Sequence, residues 1–136
     1  MVNRLWENPP YSLTTDLTCL NLDFVYKQLS QSYWASNRTK KQVEKSIHNA
    51  IPFNLYLNEE QIGFARVISD KAVFAYLADV IIAPEHRGHG LGKWMMSCIL
   101  THPDLKGCKV LLETLDAHGL YAQFGFEIKE CMKKQL

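Results

Sequence analysis

The chain has 136 residues, enough for one hydrophobic core and not for two, so residues 1–136 are expected to fold as a single domain. Lys and Arg number 15 against 14 Asp and Glu, a formal charge of +1 that offers no broad basic face to a nucleic-acid backbone. Apolar residues make up 47% and charged ones 21%, which excludes disorder and collagen-like order; no apolar run reaches the roughly 20 residues that cross a bilayer, and the first ten residues carry no leader pattern. A cytoplasmic protein without nucleic-acid or membrane partners is expected.

In chain order, Tyr11 to Thr15 reads as a short strand. Asp16 and Thr18 then offer capping oxygens before Leu20, Phe24, Val25 and Leu29 recur at helical spacing, predicting a helix near 20–32. Thr39 opens a second capped pattern with Val43, Ile47 and Ala50 on one face, a helix over 40–50. Phe53, Leu55 and Leu57 alternate outward and inward. After the turn Asn58-Glu59-Glu60, the runs Ile62 to Ile68 and Ala72 to Ala83 complete an antiparallel meander of three strands. Pro84 breaks this pattern, and a glycine-rich loop leads into Trp94, Met95, Cys98 and Ile99 at helical spacing. His102-Pro103 ends that helix, Lys109 to Glu113 reads as a strand, Ala117 to Phe124 as a short helix, and Phe126 to Met132 as a closing strand.

The glycine-rich loop carries the chemistry. Between a buried strand and a helix, glycines let backbone N–H groups converge, and the helix dipole adds partial positive charge at the same point, an arrangement that holds phosphate. Arg87-Gly88-His89-Gly90-Leu91-Gly92 is neither GxGxxG nor GxxxxGK followed by Ser or Thr, so the ordinary nucleotide motifs are absent. Cys19, Cys98, Cys108 and Cys131 form no CxxC pair and read as buried thiols. His86 and His89 have no third ligand at helical spacing, so no metal is assigned.

The segment resembles the signature of the GNAT superfamily of acyl-CoA-dependent N-acetyltransferases, R/Q-x-x-G-x-G/A, which Arg87, Gly90 and Gly92 match in order. Upstream, Asp79-Val80-Ile81-Ile82-Ala83-Pro84 is similar to the strand end that precedes the family's loop. Downstream, Leu120-Tyr121-Ala122-Gln123-Phe124-Gly125-Phe126 is similar to its L-Y-x-x-x-G-F element. The resemblance implies a mixed α/β fold, with a mostly antiparallel, splayed sheet flanked by helices. It implies acetyl-CoA as co-substrate and transfer to a primary amine of a small molecule or peptide, and it leaves room for a homodimer.

Carried over residue by residue, it places Val80, Ile81 and Ile82 along the pantetheine arm and Arg87, Gly88, His89, Gly90, Leu91, Gly92 and Lys93 around the pyrophosphate. Tyr121 matches the tyrosine that protonates the departing thiolate, a role that suits a phenol neutral at pH 7. An amine attacks a thioester only after losing its proton, and Asp79 is the first candidate for the base, or else it binds the amine or serves structure; the family often places its acid three positions earlier, where this chain has Tyr76. Thr114 stands in a cofactor slot that is often Asn.

Tyr33 and Trp34 lie where the family often builds its acceptor pocket and either pack a substrate or close a helix end. Arg38 and Arg66 either bind an acceptor carboxylate or form an ion pair between elements; if Asp79 and an arginine share the pocket, an amino-acid-like acceptor follows. His118 either tunes Tyr121 or caps its helix. The rival functional reading is an acyl-CoA-binding sensor or partner subunit without transfer, and a nucleotide binder would need the phosphate motifs that are missing.

Overall fold

The computed structural model describes residues 2–136 and contains one six-stranded sheet whose spatial order follows the chain. The strands are β1 (Leu5–Asn8), β2 (Tyr11–Thr14), β3 (Ile51–Leu57), β4 (Glu60–Ser69), β5 (Phe74–Ile82) and β6 (Lys109–Leu111). Neighbours are antiparallel except β5 and β6, which run parallel, as the long helical connection between them requires. Helices α1 (Leu22–Ser30) and α2 (Lys40–His48) interrupt the sheet between β2 and β3; α3 (Leu91–Ile99) and the short α4 (His118–Ala122) flank β6. No helix among the described residues is long and apolar enough to cross a membrane.

Local chemistry sets the helix starts. Asn21 accepts the Phe24 N–H at 3.1 Å, and Thr39 and Gln42 form a reciprocal capping box at α2. The apolar stripe of α1, Val25 and Leu29, and that of α2, Val43 and Ile47, close over Phe64 and Ile81 on one face of the sheet. On the other face α3 buries Leu91, Met95, Met96 and Ile99 against Phe53, Leu55, Ala65, Val67 and Leu77. Burial at these positions stabilises the fold by about 1.5–3 kcal/mol for each large side chain.

The decisive irregularity lies in β5. Phe64 pairs with Ile81 and Arg66 with Ala78, so Asp79 and Val80 together oppose the single residue Ala65. This is a β-bulge, and Asp79 sits in it with φ +54°. The extra residue reverses the alternation of the strand. Before it, Ala75 and Leu77 face the α3 layer; after it, Val80 and Ile82 do, while Ile81 joins the α1–α2 layer. The Asp79 side chain is thereby turned to the α1–α2 side, where Arg66 also projects.

Several features differ from the sequence reading: Asp16 caps a 3-10 turn at Leu17–Cys19 while Asn21 caps α1, and of the cysteines expected to be buried Cys19 and Cys131 are exposed. The first strand is a hairpin, since β1 pairs with β2 in a segment whose exposed residues carry little alternation. The strand expected from Ala72 begins at Phe74, because the Asp70 carboxylate accepts the N–H groups of Ala72, Val73 and Phe74 and holds a turn there. The closing strand expected over 126–132 does not form. Ile128 and Met132 find no layer to cover them, at 83% and 100% exposed, and β6 ends after three residues, too short an edge to template a partner amid Glu127, Lys129, Glu130, Lys133 and Lys134.

Candidate active site

Pairing between β5 and β6 ends at Tyr76 and Leu111, although β5 continues to Ile82. The edge of β5 beyond Tyr76 therefore has no strand beside it, a gap that accepts an extended ligand by main-chain pairing. Main-chain groups alternate in direction along a strand. The Ile81 carbonyl lies against Gly63 of β4, and the Ala83 N–H bonds to the Ile62 carbonyl at 2.8 Å, so Ile81 and Ala83 face β4 while Val80 and Ile82 face the gap. The Ile82 carbonyl also receives the Arg87 Nε–H at 3.0 Å, which ties the glycine loop back to the strand end. Arg87, in the signature's first position, is thus an anchor of the loop.

Gly88 and Gly90 adopt φ +83° and +74°, a backbone region that favours glycine, and a Cβ at Gly88, Gly90 or Gly92 would meet nothing within 4 Å. The backbone is exposed to the space a ligand would fill. Gly90 caps α3 with no side-chain hydrogen bond, and the first bonded amide is Trp94, to the Gly90 carbonyl at 3.0 Å. The N–H groups of Leu91, Gly92 and Lys93 are left as donors at the positive end of the helix dipole. A cavity of about 250 Å³ sits here, lined by Ile82, the glycine loop, Lys93 and Leu120. These donors, with the Lys93 charge and open space, fit a pyrophosphate. His86 and Leu120 line the cavity as well; the sequence signal for Leu120 was its place beside Tyr121 in the L-Y-x-x-x-G-F element.

Tyr121 follows Leu120 on α4 and is 8% exposed, edge-on to Phe126 with ring centroids 5.9 Å apart. Burial pushes its phenol above the ordinary tyrosine range, and Tyr33 and Asp116 push the same way, so it stays protonated at neutral pH. Thr114 is committed to the turn before α4, its Oγ1 accepting the Ala117 N–H at 3.0 Å. His118 is exposed at the start of α4, and among the described residues no group of three or more His, Cys, Asp or Glu could hold a metal ion.

The α1–α2 connection brings the remaining candidates together. The Tyr33 hydroxyl accepts the Leu115 N–H at 3.2 Å, joining this connection to the loop before α4, and the Tyr33 ring stands edge-on to Trp34 at 5.0 Å. Trp34 donates its indole N–H to Asp79 Oδ1 at 2.9 Å. Asp79 Oδ2 accepts from Arg66 Nε at 2.6 Å and from Arg38 Nη1 at 2.8 Å. Burial pushes the Asp79 carboxyl upward, but the charge and hydrogen bond of Arg66, the charge of Arg38 and the Trp34 bond outweigh it and hold the group below the usual carboxylate range. Tyr76, half-buried on the same strand, has its phenol raised by burial and then by Glu113.

Solved structures share this architecture, and sequence relatives share part of the sequence. A candidate acetyltransferase of the GNAT family from Xanthomonas campestris pv. campestris is 38% identical, with a TM-score of 0.90 over 96% of this chain and 96% of that one. A GNAT family acetyltransferase from Elizabethkingia anophelis with acetyl-CoA bound shares the fold at 14% identity, with a TM-score of 0.70 over 90% of this chain and 80% of its own. The spermine/spermidine N(1)-acetyltransferase of Bacillus subtilis (strain 168) is 27% identical over 85% of each chain. Residues 49–128, from β3 to just beyond α4, match the acetyltransferase (GNAT) domain, and with the splayed β5 edge and the open α3 N-terminus they establish that this chain belongs to the GNAT family of N-acetyltransferases.

Proposed function

We propose that the protein transfers an acetyl group from acetyl-CoA to a primary amine by direct attack in a ternary complex. The observation that carries this reading is the unpaired β5 edge running into the uncapped N-terminus of α3, one continuous track of main-chain donors and acceptors. Acetyl-CoA supplies the activated acyl group as a thioester. Val80 and Ile82 would pair with its extended arm, and the N–H groups of Leu91, Gly92 and Lys93 would hold its pyrophosphate. The bulge at Asp79 and Val80 breaks the ladder where the acyl group would lie, leaving strand amides to polarise its carbonyl. Tyr121, neutral and buried, donates a proton to the departing thiolate.

Asp79 takes a different part from the base expected of it. Three donors already occupy its carboxylate, two of them cationic, which lowers its proton affinity and leaves it a poor acceptor for an ammonium proton. Its task is to position Arg38, Arg66 and Trp34. The same guanidiniums disfavour a nearby ammonium, so the amine would enter neutral and give its proton to water.

The engagement of Asp79 and Thr114 in internal contacts favours a second reading, a CoA-binding sensor without transfer. One experiment separates the two. The purified protein is mixed with acetyl-CoA and a panel of amines and peptides, and free thiol and acetylated product are followed together. Product with matching thiol release supports transfer. Thermal stabilisation by CoA with no product supports the sensor, and the absence of both overturns either reading.

A further inference from the structure

The three ion-paired groups on the α1–α2 face, Arg38, Arg66 and Asp79, sum to one positive charge. Arg38 and Arg66 both bond to the one oxygen Oδ2 of Asp79, and no other carboxylate among the described residues forms an ion pair with either. Arg66 is the telling group. Its side chain is 10% exposed, yet only Nε is bonded; Nη1 and Nη2 make no hydrogen bond to any described residue. No completely sealed side-chain nitrogen or oxygen among the described residues lacks a partner, so these two nitrogens open on solvent-accessible space beside the bulge. Trp34 and Arg38 share the Asp79 carboxylate with Arg66, Ala78 lies directly opposite Arg66 in the ladder, and farther along β5 Tyr76 has Glu113 beside its phenol. Ala78 sets only a methyl opposite Arg66.

A planar fork of donors, nearly desolvated and within a trio of net positive charge, matches a carboxylate in geometry and in charge. We propose that the acceptor is an amine that also bears a carboxylate, an amino-acid-like molecule, and that Arg66 Nη1 and Nη2 with the free face of Arg38 hold that carboxylate so that the amine reaches the bulge. The inference rests on the transferase reading and names its substrate class. It runs against a polycation as acceptor: a polyamine would bring two or more positive charges to three groups that already sum to a positive charge.

The test uses matched pairs on the full chain with saturating acetyl-CoA: amino acids against the amines that lack only the carboxylate, aminoalkyl phosphates against the same amines, and spermidine. The expected result is kcat/KM higher by about tenfold to a hundredfold for the carboxylate-bearing member, carried mainly by KM, as a charge-assisted hydrogen-bonded pair warrants. R66K and R38Q should each reduce that ratio, with circular dichroism confirming that the variants fold. Equal kcat/KM within pairs, or spermidine as the better acceptor, overturns the proposal; preference for the phosphate member over the carboxylate overturns its assignment of the anion. Should nothing be acetylated, binding to the CoA-loaded protein still decides the matter through Trp34 fluorescence, with W34F as control. Saturable binding of the amino acids that weakens in R38Q supports the anion site although the transferase reading fails, and no binding sinks both.

Discussion

Tyr121 and Asp79 show how position decides what a titratable side chain can do. Tyr121 is buried, and burial together with Tyr33 and Asp116 keeps its phenol protonated at neutral pH. Tyr121→Phe keeps the ring and its packing against Phe126 but removes the O–H. Turnover should fall by about a hundredfold or more while the affinity for acetyl-CoA changes little, read by steady-state kinetics beside calorimetry; unaltered turnover would remove the assigned acid. Asp79 is equally buried but surrounded by donors. Asp79→Asn leaves two guanidiniums without a countercharge and should cost about 3 kcal/mol of stability, measured by denaturant unfolding at pH 7. The sign of the pH dependence follows from the lowered carboxyl. Its contribution is complete above the unfolded-state value near ~3.9 and is lost as pH falls through the lower folded-state value. The gap in stability between wild type and Asp79→Asn should therefore be flat from pH 7 to about 5 and narrow only in stronger acid. A gap that closes nearer neutrality would contradict the ion-pair account.

At the scale of elements, the meeting of β4 and β5 sets the geometry of the site. Gly63 is the close contact: a Cβ there would stand 2.9 Å from the Ile81 carbonyl and 2.9 Å from the Leu55 side chain. The carbonyl belongs to backbone at the strand end between Val80 and Ile82, so Gly63→Ala must move the strand rather than a side-chain tip. A loss of about 1–3 kcal/mol in thermal or denaturant unfolding is expected, together with weaker acetyl-CoA binding, because the displaced strand carries the gap-facing groups. An alanine variant with wild-type stability and affinity would show that the contact is relieved elsewhere. The helix pattern, the capping box at Thr39 and the glycine loop were all legible from spacing alone, since each depends on residues a few positions apart. The bulge was not legible. Asp79 is a lone carboxylate within an apolar run, no glycine marks the irregularity, and only the register against Ala65 reveals it.

For the molecule as a whole, ligand and fold are linked. If the donors at α3 and the β5 edge form the cofactor track, acetyl-CoA at a hundred times its Kd should add about 2.7 kcal/mol to stability. For a domain of this size that corresponds to a rise in Tm of about 8 °C, readable in a thermal scan, with NAD or ATP at equal concentration producing much less. The track lies on the gap side of β5 and the charged centre on the α1–α2 side, and the Tyr33 hydroxyl bond to Leu115 links the connection over that centre to the loop before Tyr121. The two substrates would thus approach from different sides of one strand.

By itself the sequence determined the capped start of α2 and the family, through the loop from Arg87 to Gly92 and the motif around Tyr121, because these are local patterns read along the chain. It also supplied Asp79, Arg38 and Arg66 as candidates without a way to choose between catalysis and pairing. Only the tertiary structure decided that they meet, that both guanidiniums share one oxygen, and that no strand continues after Phe126. The reason is physical: side chains 41 and 13 positions apart interact according to strand register and face, and a single bulged residue reverses the face without altering the hydrophobic pattern from which a sequence is read.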